Sequence, residues 1–127
     1  MHSGDYCIVV AEDDELLRYC TVNLLRSHGY KIIEARDGEH ALELLEKCRD
    51  AVHLLITNYE MPGISGVELA RKLREKHGRL KVLLISGMAR DIDPADDIVF
   101  LEKPYNQAIL AHTVRELLRD GGSTVTT

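Results

Sequence analysis

The chain has 127 residues, enough for one hydrophobic core and too few for two ordinary ones. Apolar residues make up 45% and charged residues 29%, which speaks against a disordered chain. The net charge of -5 and pI near 5.6 speak against non-specific nucleic-acid binding, which needs a basic surface to displace counterions.

Short apolar runs alternate with helical patterns along the chain. Tyr6–Val10 is continuous and β-branched, as in a strand buried on both faces. After Glu12-Asp13-Asp14 a helix is expected from Glu15 to His28, with Leu16, Leu17, Cys20, Leu24 and Leu25 recurring at three- and four-residue spacing. Asp14 caps its start and Gly29 stops it. A second strand, Lys31–Ala35, gives way at Asp37-Gly38 to a helix carrying Ala41, Leu42, Leu45 and Cys48 on one face. The third strand is expected over Val52–Thr57, followed by the loop NYEMPGISG and a helix from about Val67 to His77. The fourth strand is Lys81–Ser86 and the fifth Ile98–Leu101. A last helix, Asn106 to Arg119, is expected to bury Ile109, Leu110, Val114, Leu117 and Leu118.

Five strands joined by helical crossovers predict an α/β fold, an open parallel sheet covered on both faces. Between the last two strands the segment GMARDIDPADD is short, acidic and interrupted by Pro94. It predicts a shortened fourth crossover of one or two turns in place of a full helix. Domain assignment follows as residues 1–120, with 121–127 (GGSTVTT) a flexible polar tail or a cut linker. Cys7, Cys20 and Cys48 are odd in number and lack CxxC spacing, so they are expected as small buried hydrophobes of a reduced protein. The apolar runs fall far short of the roughly 18–20 residues of a membrane span, and MHSGDY lacks the regions of a secretory signal. The expected setting is cytoplasmic, without membrane or nucleic-acid partners.

In an open parallel sheet, ligands gather at the carboxyl ends of the strands, where strand order reverses. Those ends carry Glu12 and Asp13, Asn58, Ser86 and Lys103. Hard oxygens suit Mg²⁺, and a hydroxyl with an ammonium suits phosphoryl oxygens. Each residue also has an ordinary use, as helix cap, strand-end hydroxyl or solvated lysine.

From IVVAEDDELLR through TNYEMPGISG and LLISG to FLEKPY, the chain resembles the receiver domain of two-component response regulators over nearly its whole length. The resemblance implies the flavodoxin/CheY-like fold with strand order 2-1-3-4-5. It implies Mg²⁺ held by Glu12 and Asp13, with a backbone carbonyl at Glu60 completing the metal shell. Ser86 and Lys103 then contact the phosphoryl group, Phe100 is a switching aromatic, and the bond before Pro104 is cis. Expected partners are a histidine kinase or phosphotransfer protein and an output protein, for a signalling module and not an enzyme. The family's usual output face includes the fourth helix, so the short crossover argues for a monomer or weak homodimer. Its spacing looks more like receivers attached to hybrid kinases.

The departure is at position 58, where the family's phosphate-accepting aspartate is replaced by Asn58. A carboxamide is neutral and a poor nucleophile. Its presence also removes a charge from the metal crevice, so Mg²⁺ binding is expected to be weak. Three readings stay open on sequence: a natural pseudo-receiver acting by docking, an ordinary receiver with an engineered Asp-to-Asn block, and phosphorylation at Thr57 or Ser86 instead. Rival classes fit less well. A Mg²⁺-dependent phosphatase of the haloacid-dehalogenase type needs a DxD spacing that Glu12-Asp13-Asp14 lacks, and a flavin carrier needs a Ser/Thr/Gly-rich loop where three acids stand.

Overall fold

The computed structural model describes residues 2–88 and 92–120. Five parallel strands lie in the order β2-β1-β3-β4-β5. They are β1 (Cys7–Ala11), β2 (Lys31–Ala35), β3 (Leu54–Asn58), β4 (Lys81–Ser86) and β5 (Val99–Glu102). The helices are α1 (Glu15–Ser27), α2 (Gly38–Glu46), α3 (Gly66–Lys76) and α4 (Gln107–Asp120), with 3₁₀ turns at Ser3–Asp5 and Pro94–Asp96.

The central strands are apolar throughout because both of their faces are covered, whereas the edge strands β2 and β5 are only partly buried. Alternate side chains feed two separate cores. Val9, Leu55 and Val82 pack against α2 and α3, while Ile8, Leu54, Ile56, Leu83 and Ile85 pack against α1 and α4. Cutting a fully buried leucine such as Leu83 to alanine costs about 2–5 kcal/mol. Asp14, Asp37 and Ser65 accept hydrogen bonds from Leu17, His40 and Glu68 main-chain N–H groups, fixing the start of each of the first three helices.

Several boundaries differ from expectation. β3 runs through Asn58 and not only to Thr57, so residue 58 is the last rung of the ladder, opposite Ile85. β1 and β5 each begin one residue later than predicted. On α1 the buried residues are Thr21, Val22 and Leu25, leaving Leu16 (70% exposed), Leu17, Tyr19 and Cys20 outward. The helix carries more apolar residues than one stripe can hold, so of the expected set Leu24 and Leu25 pack while Leu16, Leu17 and Cys20 give way to Thr21 and Val22. Ile109 is likewise exposed, while Leu110, Val114 and Leu118 are buried. Of the cysteines, Cys7 is buried, Cys48 partly buried and Cys20 exposed.

Among the described residues, the β4–β5 crossover contains the single turn Pro94–Asp96; its residues 89–91 lie outside the description, as does the predicted tail 121–127. Two arginines of α3 hold this turn. Arg71 makes a two-pronged ion pair with Asp96 (Nε–Oδ1 2.9 Å, Nη2–Oδ2 2.8 Å). The Arg74 guanidinium donates to the main-chain carbonyls of Leu80 (3.0 Å), Asp96 and Asp97 (2.8 Å). Asp97 closes the turn in the left-handed region at φ 49°. A planar fork with five donors suits a chain whose carbonyls have no helix to enter.

Candidate functional site

The carboxyl ends of β1, β3, β4 and β5 carry the predicted residues along one end of the sheet, where Glu12, Asp13 and Asn58 meet. Glu12 is buried at 7% exposure directly after β1 and Asp13 is exposed beside it. Asn58, 9% exposed, ends β3 between them. Its Nδ2 donates to Glu12 Oε2 (2.5 Å) and to Asp13 Oδ1 (3.2 Å). Carboxylates only accept hydrogen bonds, so the NH₂ end of the amide must face them. At the other end, Asn58 Oδ1 is buried with no hydrogen-bond partner among the described residues.

Burial pushes the Glu12 carboxyl above its ordinary range. The Asp14 main-chain N–H, the Lys103 ammonium and the Asn58 amide pull the other way, and the Asp13 charge adds to the rise. The Asp14 N–H reaches Glu12 Oε2 at 2.9 Å. Lys103 therefore acts on Glu12 through charge, while its main-chain N–H donates to the Ser86 main-chain carbonyl at 2.8 Å across the β4–β5 ends. Ser86 is buried and its Oγ accepts from Met88 N–H at 3.2 Å. The Lys103–Pro104 peptide is cis. Phe100 is half-buried, opposite Leu84. Glu60 is exposed on the β3–α3 loop.

Gly66 sets the depth of this end of the sheet. A Cβ there would run into the Asn58 main-chain oxygen and come 2.8 Å from Leu84 Cδ1. The start of α3 therefore lies against the site's central residue because position 66 has no side chain.

The sequence reading missed Arg18. Its Nη1 donates to the Glu12 carbonyl at 2.8 Å and its Nε to Glu34 Oε2 at 3.0 Å, tying the acidic loop to β2. An arginine one turn after the Asp14 cap was the available signal, but nothing in the pattern named its partner. Beside the crevice an apolar groove of about 330 Å³ runs between α1 and α4, lined by Leu17, Leu24, Tyr105 and Leu110 together with Lys103. Among the described residues no group of three or more His, Cys, Asp or Glu is placed to hold a metal ion. A cation here would have to draw on amide or main-chain oxygen besides Glu12 and Asp13. No helix is long and apolar enough to cross a membrane.

A five-stranded sheet in this order, with acids, an amide, a hydroxyl and a lysine at its carboxyl ends, has the form of a signalling receiver. Residues 8–115 match the response regulator receiver domain family, and the chain belongs to it. It is 36% identical over 121 residues to the sensor kinase CckA of Brucella abortus (strain 2308), covering 91% of this chain and 13% of that protein. It is 33% identical over 116 residues to the response regulator receiver protein CpdR of the same organism, covering 87% of this chain and 95% of that protein. Among solved structures, the receiver domain from the hybrid histidine kinase CckA is 37% identical at TM-score 0.78, over 88% of this chain and 98% of that one. The response regulator TrrA of Thermotoga maritima, solved in complex with Mg²⁺-BeF, is 30% identical at TM-score 0.76, with the same coverage. The chain is thus a two-component receiver domain of the CheY-like fold, spanning a small part of its kinase relative.

Proposed function

We propose that this receiver does not accept phosphate at residue 58 and signals by docking, with a histidine kinase or phosphotransfer protein and an output protein as its partners. The observation that carries this reading is the Asn58 carboxamide itself, bridging Glu12 and Asp13 at the end of β3, the position that the resemblance assigns to the phosphate-accepting aspartate. Phosphoryl transfer requires an anionic oxygen that attacks phosphorus and becomes an acyl phosphate. The amide offers no such oxygen, and its donor face is turned to the acids.

The remaining side chains suit a receiver crevice that keeps its charge pattern. Glu12 and Asp13 supply carboxylate oxygens, Asn58 Oδ1, without a hydrogen-bond partner among the described residues, is a hard neutral donor, and a main-chain carbonyl at Glu60 would complete the set. That set fits Mg²⁺, held weakly because one carboxylate is replaced by an amide. Bound there, the ion would neutralise the acidic pair. Ser86 and Lys103 are the phosphoryl-site partners, Phe100 the switching aromatic, and Pro104 fixes the turn that carries Lys103. The module takes residues 1–120, is cytoplasmic, catalyses no reaction, and is a monomer or weak homodimer, because among the described residues the β4–β5 crossover holds only the turn Pro94–Asp96 where the resemblance implies a fourth helix.

The test is titration with Mg²⁺ and beryllofluoride, followed by NMR shifts, on this protein and on Asn58→Asp. The expected result is tight Mg²⁺-dependent beryllofluoride binding by Asn58→Asp and none by the parent. Binding by the parent, or by neither, overturns the reading of a receiver site disabled at one residue.

A further inference from the structure

We infer that the Asn58 NH₂ group stands in for a divalent cation in bridging Glu12 and Asp13, and that such a cation enters the crevice only as the amide turns over, withdrawing Nδ2 from the two acids and presenting Oδ1. The inference rests on the proposed Mg²⁺ crevice and deepens it.

Three observations carry it. First, the two Nδ2 hydrogens go one to each carboxylate, at 2.5 and 3.2 Å. A partially positive group placed between two acids relieves their repulsion as a bound cation does. Second, the amide is satisfied at that end alone among the described residues, since Oδ1 is buried with no partner there. A buried carbonyl without a partner is the less stable end of the group and the end suited to a metal. Third, the main chain cannot make the exchange. Asn58 pairs with Ile85 in the sheet, Tyr59 N–H donates to the Ile85 carbonyl at 2.9 Å, and the Asn58 carbonyl lies against Gly66. The motion is a half-turn about the last side-chain bond.

An amide nitrogen has no lone pair to give a metal, so a cation cannot be added to the arrangement in place. It must displace two charge-assisted hydrogen bonds, which makes binding weaker than loss of one charge alone would do. The exchange is between two ways of bridging the same pair of acids, and Asn58 sets the threshold.

The sequence makes the test direct, because its side-chain amides are Asn23, Asn58, Asn106 and Gln107. Of these Asn58 is buried and the other three are exposed. On the ¹⁵N-labelled full chain, Asn58→Ser identifies the Asn58 NH₂ pair by its disappearance. In metal-free buffer that pair should exchange with water about ten-fold or more slowly than the other three, as charge-assisted hydrogen bonds require. Titration with MgCl₂ should shift the pair and abolish its protection. The inference is overturned if the pair exchanges like the exposed ones, or if it keeps its shift and protection throughout the titration, whether or not the Glu12 and Asp13 main-chain signals move. Failure here is distinct from failure of the proposed function. Beryllofluoride binding by Asn58→Asp alone, with an unmoved amide in the parent, leaves the function and removes the turnover.

Discussion

Replacing Asn58 by aspartate exchanges a donor for a third anion inside the acidic pair. The amide now donates at 2.5 Å to Glu12 and 3.2 Å to Asp13; a carboxylate in that place would repel both. At 3.2 Å and an effective dielectric near 20, one unit charge against another is worth about 5 kcal/mol. That figure is an upper bound, because one of the three carboxyls takes a proton instead. Protonating an acid of ordinary pKa near 4 at pH 7 costs about 4 kcal/mol, at roughly 1.36 kcal/mol per unit. A protonated acid also restores one donor to the crevice. The expected loss in metal-free buffer is therefore about 3–4 kcal/mol. Urea unfolding at pH 7, in EDTA and then in MgCl₂, measures it. Asn58→Asp should be much the less stable in EDTA, and Mg²⁺ should recover most of the gap, since saturation at 100 times the dissociation constant adds about 2.7 kcal/mol. The parent should gain far less from Mg²⁺. If Asn58→Asp in EDTA unfolds within about 0.5 kcal/mol of the parent, the amide bridge is not what holds the two acids.

Three further outcomes follow from the same geometry. Glu12 has its folded pKa raised above 4.5, chiefly by burial. Its contribution to stability is fully present below pH 4.5 and is lost as pH rises through the raised value. The stability of Glu12→Gln relative to the parent should therefore improve with pH above 4.5, read from urea midpoints between pH 4 and 8, and a flat difference would refute the burial argument. Arg74→Ala removes three hydrogen bonds to the carbonyls of Leu80, Asp96 and Asp97. It should cost about 2–4 kcal/mol in thermal or urea unfolding, and Arg74→Lys should recover little, because one ammonium cannot replace a planar fork. Gly66→Ala should cost about 3 kcal/mol and shift the Asn58 amide signals, because the new methyl meets the Asn58 carbonyl; an unchanged spectrum would show that α3 can retreat freely.

The sheet was legible because its central strands are buried on both faces, and runs such as VLLI at 82–85 have no other stable placement. The shortened crossover was legible through Pro94, and the Asp14 cap through its place before the first helical turn. Which stripe of α1 packs was not. Leu16, Leu17 and Cys20 fit helical spacing as well as Val22 and Leu25 do, and only the position of the sheet decides between them. The crevice was predicted as a set of strand-end residues, yet its internal wiring was not written in their spacing. That Asn58 turns nitrogen toward both acids, that Arg18 holds the Glu12 carbonyl, and that Arg71 and Arg74 grip the β4–β5 turn depend on contacts between distant segments. Arginine partners on carbonyls are the least readable, since every residue but one's own neighbours offers the same acceptor.

Lys103 belongs to two places at once, the crevice whose Glu12 it influences and the apolar groove between α1 and α4. Anything seated in that groove lies against Lys103 and the exposed Leu17. Whatever fills the groove therefore bears on the side chain whose charge lowers the Glu12 pKa, so one lysine gives the two neighbouring surfaces a common electrostatic element.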